Sequence, residues 1–315
     1  MNSSSISFSI LIPAYKAKYL NECLDSCLAQ TYDNFEIIVV NDASPENLDA
    51  VMKPYEGEGR IKYYKNEKNC GAENVVDNWN KCLNYASGMF VICMGDDDFL
   101  GKDALMEYAE AIQKYPQVKV FHARTIIVDA NGGREYIEND RSEYESIYSF
   151  MRHRLEGCRQ FIGDFCFERV SLLARGGFYK LPLAWGSDDI SVFLAGEKDG
   201  VVNIKKPTFY YRNSPLTISS SGNVLLKLST LDKYEDFCRT LLDRLQPLTE
   251  EDRETAKIDK KILHKSVEKM KLWVIFPEIK MKKIRFIKWL LAGKKYNVSR
   301  RVVLQGLMKS MREAL

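Results

Sequence analysis

Two short groups of carboxylates in this chain have a spacing that could do chemistry. The first is Asp96, Asp97 and Asp98 in "FVICMGDDDFLGKD", three like charges at the exit of a run apolar enough to be buried. At about 4 Å two unit charges repel by roughly 1 kcal/mol in water and about 4 kcal/mol at an effective dielectric near 20. A fold keeps such a trio where water solvates it or where a cation offsets it. Carboxylate oxygens suit Mg2+ or Mn2+, which retain waters and substrate phosphates in an octahedral shell. The other reading is a solvated acidic turn capping the helix that "GKDALMEYAEAIQ" would form. The second group is Asp188 and Asp189 in "WGSDDISVF", behind Ser187 as a plausible N-cap. Such a pair either stabilises a first helical turn, at about 0.3–1 kcal/mol each, or takes a proton from a reacting hydroxyl, typically worth about 10²–10⁴-fold in rate.

The surrounding pattern must position these acids. "ISFSILIPAY" reads as a strand ending at Pro13, and "KYLNECLDSCLAQ" as a helix with Leu20, Cys23, Leu24, Cys27 and Leu28 on one face. "FEIIVVNDAS" is a buried strand stopping at Asn41 and Asp42, and "NLDAVMKPYEG" a short helix broken by Pro54. "RIKYYKN" is a third strand, "AENVVDNWNKCLNYASG" a helix closed by Gly88, and "MFVICM" a fourth strand. This alternation predicts an α/β fold with a mostly parallel sheet flanked by helices. Ligands bind such sheets at the carboxyl ends of the strands. Pro13–Tyr15, Asn41–Asp42 and Asp96–Asp98 all fall there.

Later segments are less regular. "VKVFHARTIIVDANGG" predicts a strand and turn, and "CRQFIGDFCFERVSLLARGGF" a strand into a short helix ended by Gly176 and Gly177. A helix starts near Ser187, "VVNIKKPTFYYRN" reads as a strand pair, and "SPLTISSSGN" as a mobile loop. Beyond about Val224 the pattern is helical.

Composition narrows the class. The chain has 315 residues, 45% hydrophobic and 28% charged, which suits a globular protein with one or two cores. Its eight cysteines form no Cys-x-x-Cys pair and there are only three histidines, which argues against a zinc site or disulfide framework and for a reducing, cytosolic compartment. No basic leader precedes the first apolar run, so no signal peptide is expected, and no stretch reaches the about 20 apolar residues that span a bilayer. From Ala256 to Leu315 there are 17 Lys or Arg against 4 Asp or Glu, so a basic tail follows an acidic body. The tail interleaves its charges with Leu, Ile, Phe and Trp. It could lie on an anionic inner leaflet as an interfacial helix, or pack Trp273, Phe276 and Trp289 against the body. No recognised motif accompanies the charge to suggest nucleic acid.

"SILIPAYKAKYLNECLDSCLAQTYDNFEIIVVNDAS", "NYASGMFVICMGDDDFL" and "WGSDD", in that order, resemble the family-2 glycosyltransferases over roughly residues 6–215. The resemblance implies a GT-A (Rossmann-like) fold, a nucleoside-diphosphate sugar as donor (UDP by default) and inversion at the anomeric carbon. It puts the aspartate trio on the family's metal motif, with Gly95 where the first acid often lies. Asp98 then becomes the inner-shell ligand of Mg2+ or Mn2+, Asp96 a ribose or metal-water contact, and Asp97 a further donor-site residue. Pro13, Ala14 and Tyr15 would hold the base, Asp42 the base or ribose, and Asn69 and Gly71 would line the donor site. Asp189 takes the place of the general base. Asp188 stands where Glu is usual, as an acceptor or positioning residue. Trp185 could pack on a sugar face and Arg212 could meet the diphosphate.

Residues 1–223 would form the catalytic domain, donor half about 1–100 and acceptor half about 101–223, with a basic helical extension over 224–315. The processive-synthase Gln-x-x-Arg-Trp motif is absent. The expected acceptor is a hydroxyl of a cell-envelope or lipid-linked glycan, and the expected place is cytoplasmic, peripheral on the membrane face. Two other readings remain: a nucleotidyltransferase, which would want a glycine-rich basic loop that "IPAYKAKY" lacks, and a nucleotide-binding module without catalysis.

Overall fold

The structure, a computed structural model, describes residues 6–214, 223–282 and 284–312, so the Ser-rich loop expected after Ser214 lies outside the described residues. The first half runs β1 (Phe8–Ala14), α1 (Leu20–Leu28), β2 (Phe35–Asn41), α2 (Leu48–Met52), β3 (Ile61–Lys65), α3 (Val75–Tyr85), β4 (Phe90–Cys93), β5 (Phe99–Leu100) and α4 (Ala104–Lys114). Then come β6 (Val120–Val128), β7 (Arg134–Ile137), β8 (Tyr144–Glu145), α5 (Ile147–Glu156), β9 (Phe165–Glu168), α6 (Arg169–Ala174), α7 (Ser187–Ala195) and β10 (Val201–Arg212). Four helices complete the chain: α8 (Val224–Arg244), α9 (Glu250–Met281), α10 (Arg285–Ala292) and α11 (Arg300–Arg312).

One sheet carries the order β3-β2-β1-β4-β9-β6-β10-β5, with β7 on β6 and β8 on β10. The first four strands pair in parallel, as β-α-β crossovers require. Beyond β4 the sheet is mixed, not mostly parallel: β9 runs antiparallel to both β4 and β6, and only β6 and β10 pair in parallel. A core lies on each face of the sheet. Leu20, Leu24, Leu105 and Tyr108 of α1 and α4 pack on one side, and Trp79, Phe150, Phe193 and Leu228 on the other. That second face explains why β1, β2 and β4 carry near-continuous apolar runs rather than a strict alternation.

Several local expectations are corrected. α3 ends at Tyr85 with Ala86 extended, not at Gly88. Gly88 serves packing: a Cβ there would stand 2.6 Å from the Phe8 carbonyl carbon. "VVNIKKPTFYYR" is one strand, β10, with irregular register around Pro207, because a bulge accommodates the proline's missing N–H. Ser187 is not the cap of α7 but its first residue; its hydroxyl accepts from the Leu181 N–H at 2.9 Å, and Gly186 takes the cap position at φ +83°.

The C-terminal helices pack on the body. Arg152 of α5 donates to Asp259 of α9 at 2.5 Å and to the Thr255 carbonyl at 2.8 Å. Trp289 and Phe276 are buried while Trp273 is exposed, so one of the three aromatics expected in that packing faces outward. No helix among the described residues is long and apolar enough to cross a membrane.

Candidate active site

A cavity of about 680 Å³ opens at the carboxyl ends of β1, β2 and β4. Pro13, Tyr15, Asp42, Asn69, Gly71, Asp96, Asp97, Asp98, Trp185, Asp188 and Asp189 all line it, so the structure gathers most of the sequence candidates in one place. Ala14 is buried beside it, and its carbonyl accepts the Asp42 N–H at 2.9 Å, which splices the ends of β1 and β2.

The aspartate trio divides its work. One oxygen of Asp96 accepts the Tyr15 and Lys16 N–H groups at 2.6 and 2.7 Å, fastening the loop after β1. Asp98 accepts the Arg212 N–H at 2.9 Å through Oδ1. A Cβ on Gly95 would stand 2.8 Å from Asp97 Oδ1 and 3.0 Å from Asp98 Oδ2. Glycine therefore leaves a cradle on which these two oxygens, from Asp97 and Asp98, converge. Burial, together with the charge on Asp97, pushes Asp96 up to about 6 and Asp98 well above the usual carboxylate range. Among the described residues no group of three or more His, Cys, Asp or Glu side chains could hold a metal ion alone. Two carboxylate oxygens fit a Mg2+ or Mn2+ that draws its remaining ligands from substrate phosphates and water.

Arg212 does not line the cavity. Its guanidinium is buried behind the trio, donating to the Asp97 carbonyl at 2.8 Å and to Glu22 at 2.6 Å, and lying 4.3 Å from the Tyr19 ring centre. The position at the end of β10 was legible, but not that β5 and α1 would enclose the side chain. The basic residues on the cavity wall are instead Lys16, 3.9 Å from Asp97, and Arg154.

At the end of β2 Asp42 is held by Asn66 Nδ2 at 2.7 Å and the Cys70 N–H at 3.0 Å, and the Asn69 amide donates to the Asp42 carbonyl at 2.8 Å. Gly71, at φ +79°, turns the chain into α3. These contacts fix the loop from Asn66 to Gly71 against the end of β2.

Across the cavity, α7 presents its two acids from the first turn, where a helix N-terminus favours negative charge. Both oxygens of Asp189 accept from Arg154 Nε at 2.8 Å, and Oδ1 also accepts from Gln160 at 2.6 Å. Asp188 has no such clamp. Burial first, and the charge on Asp189 second, push its carboxyl up to about 8. Trp185 packs under Lys227, 4.9 Å from its ring centre. Sequence reasoning missed Arg154, an arginine inside α5 with no motif around it. It also missed the far wall, where Leu231 and Tyr234 of α8 and Met270 and Trp273 of α9 line the cavity. Only the helical periodicity of the tail pointed to those helices, and periodicity does not say what they face.

Residues 9–175 match the family model described as glycosyl transferase family 2. The chain is 27% identical over 183 residues to an uncharacterized glycosyltransferase of Rickettsia typhi, covering 54% of each. It is 36% identical over 108 residues to the glycosyltransferase GlyA of Streptococcus pneumoniae, covering 34% of this chain and 14% of that protein. The chain thus spans about half or less of the length of these relatives. Among solved structures, TarS of Staphylococcus aureus (residues 1–349, with UDP-GlcNAc) matches at TM-score 0.68 and 16% identity, over 94% of this chain and 83% of that one. GalNAc-T7 with UDP, GalNAc and Mn2+ matches at TM-score 0.52 and 14% identity, over 83% of this chain and 54% of that one. The architecture they share with this chain is the GT-A fold.

Proposed function

Because the chain belongs to glycosyl transferase family 2, we propose that it moves a sugar, with inversion, from a UDP-sugar to a hydroxyl of a cell-envelope or lipid-linked glycan. The observation that carries this reading is the placement of two acid groups on opposite walls of one cavity at the carboxyl edge of the sheet. Pro13, Tyr15, Asp42, Asn69 and Gly71 frame the nucleoside. Lys16 and the Asp96-anchored loop lie where the diphosphate would sit. A cation held by Asp97 and Asp98 would offset the charge on the departing diphosphate. The acceptor hydroxyl approaches from the α7 side and loses its proton to a carboxylate as the new C–O bond forms. The complexes of TarS with UDP-GlcNAc and of GalNAc-T7 with UDP and Mn2+ support the donor class.

Asp189 is the base by its place in the motif. Its clamp by Arg154 and Gln160 favours a second assignment: Asp189 orients the pair and Asp188, open to the cavity, takes the proton. Single Asp188→Asn and Asp189→Asn variants separate the two. Their kcat, measured as UDP released by purified protein with an acceptor glycan, should fall about 10²-fold or more for the residue that acts as base. If Asp188 is that residue, the parental kcat climbs with pH toward about 8, where burial and the neighbouring charge of Asp189 place its carboxyl. Parental rates from both variants would remove the base assignment, and a protein that binds UDP yet releases it from no UDP-sugar would overturn the proposal in favour of a binding module.

A further inference from the structure

We propose that α9, α10 and α11 seat the protein on an anionic lipid surface, with the mouth of the cavity turned toward the bilayer. Eight of the seventeen exposed large apolar side chains among the described residues lie between Trp273 and Met311. Six of them form stripes at helical spacing: Ile284 at the cap of α10 with Ile287 and Leu291 along it, and Leu304, Met308 and Met311 along α11. A helix that buries one face and leaves a second apolar face in water has an unmet partner there. The same forty residues, 273–312, hold eleven Lys or Arg and a single acid, Glu278. Glu278 is itself engaged by Lys288 at 3.2 Å and the Trp289 indole at 3.1 Å.

Apolar stripes within a field of positive charge match an interface of acyl chains beneath anionic headgroups. A second copy of this chain is a poorer occupant, because two such faces would bring like charge together. Trp273 joins this surface to the site: it is 68% exposed and also lines the cavity. The orientation therefore bears on the acceptor, which would be carried on lipid. That consequence rests on the glycosyltransferase reading, whereas the docking itself does not.

Flotation of the full chain with vesicles tests it without donor or acceptor, so loss of docking and loss of the transfer reading are distinguishable. Vesicles with about one-third phosphatidylglycerol should carry the protein upward, phosphatidylcholine vesicles should not, and high salt should release it. Ile284→Glu/Leu291→Glu and, separately, Arg300→Glu/Arg301→Glu alter exposed positions and should each lower the bound fraction about tenfold at an unchanged unfolding temperature. Brominated lipid should quench a fluorescence component that Trp273→Phe removes. No flotation with anionic vesicles, or full flotation of both variants, would overturn the proposal. So would light scattering that shows a dimer in the parent and monomers in both variants. Quenching indifferent to Trp273→Phe would overturn the orientation of the mouth.

Discussion

Asp188 and Asp189 are neighbours in sequence with opposite surroundings: both oxygens of Asp189 are clamped, and Asp188 has no such clamp. The motif pointed to both; only three dimensions reveal Arg154 and Gln160 around one of them. Asp188 keeps its proton in the folded protein up to about 8, whereas an unfolded aspartate releases it near about 4. Between those values the folded state binds more protons. The stability this group contributes is therefore full below the unfolded value and is lost as pH rises through the folded one. Thermal unfolding followed from about pH 5 to pH 8 should show the parent losing stability relative to Asp188→Asn, and parallel profiles would show that the carboxyl is ionised throughout. Gly95 was legible as a departure from the usual acid, but its use was not: it leaves room for Asp97 and Asp98 to converge.

At the scale of elements, the strands that end at the cavity were legible because both their faces are buried, which writes continuous apolar runs into the sequence. The antiparallel insertion of β9 was not, since a short buried strand reads alike in either direction. The start of α7 shows how a backbone detail sets the site. Gly186 holds φ +83°, and a Cβ there would stand 2.5 Å from the Tyr234 ring. Gly186→Ala should cost about 1–3 kcal/mol in urea unfolding and lower kcat, since the acids one and two residues beyond the following serine move with the helix. A second test concerns the link between α5 and α9. Asp259 is fully buried, and burial outweighs its pairing with Arg152, holding its carboxyl up at about 6. Arg152→Leu should destabilise by about 3–5 kcal/mol, and adding Asp259→Leu should recover most of the loss. Additive losses in that double-mutant cycle would mean that the pair is not coupled.

For the whole molecule, the charge asymmetry and the helical tail were visible in composition, but the way the tail completes the site was not. Met270 and Trp273 of α9 stand on the cavity wall more than 170 residues after Asp96–Asp98, a separation over which sequence pattern carries no contact information. The cavity wall takes residues from Pro13 to Asp98 on one side and residues of α7, α8 and α9 on the other, so the body and the C-terminal helices build it together. In the proposed reaction the buried aspartates grip a nucleoside diphosphate through a divalent ion. Calorimetric titration of UDP into the full chain, with Mn2+ and with chelator, tests it most directly. Binding should be at least about tenfold tighter with Mn2+, a difference of about 1.4 kcal/mol, and should show no such difference in Asp98→Asn. Equal affinity with and without the metal, or an unchanged metal dependence in that variant, would contradict it.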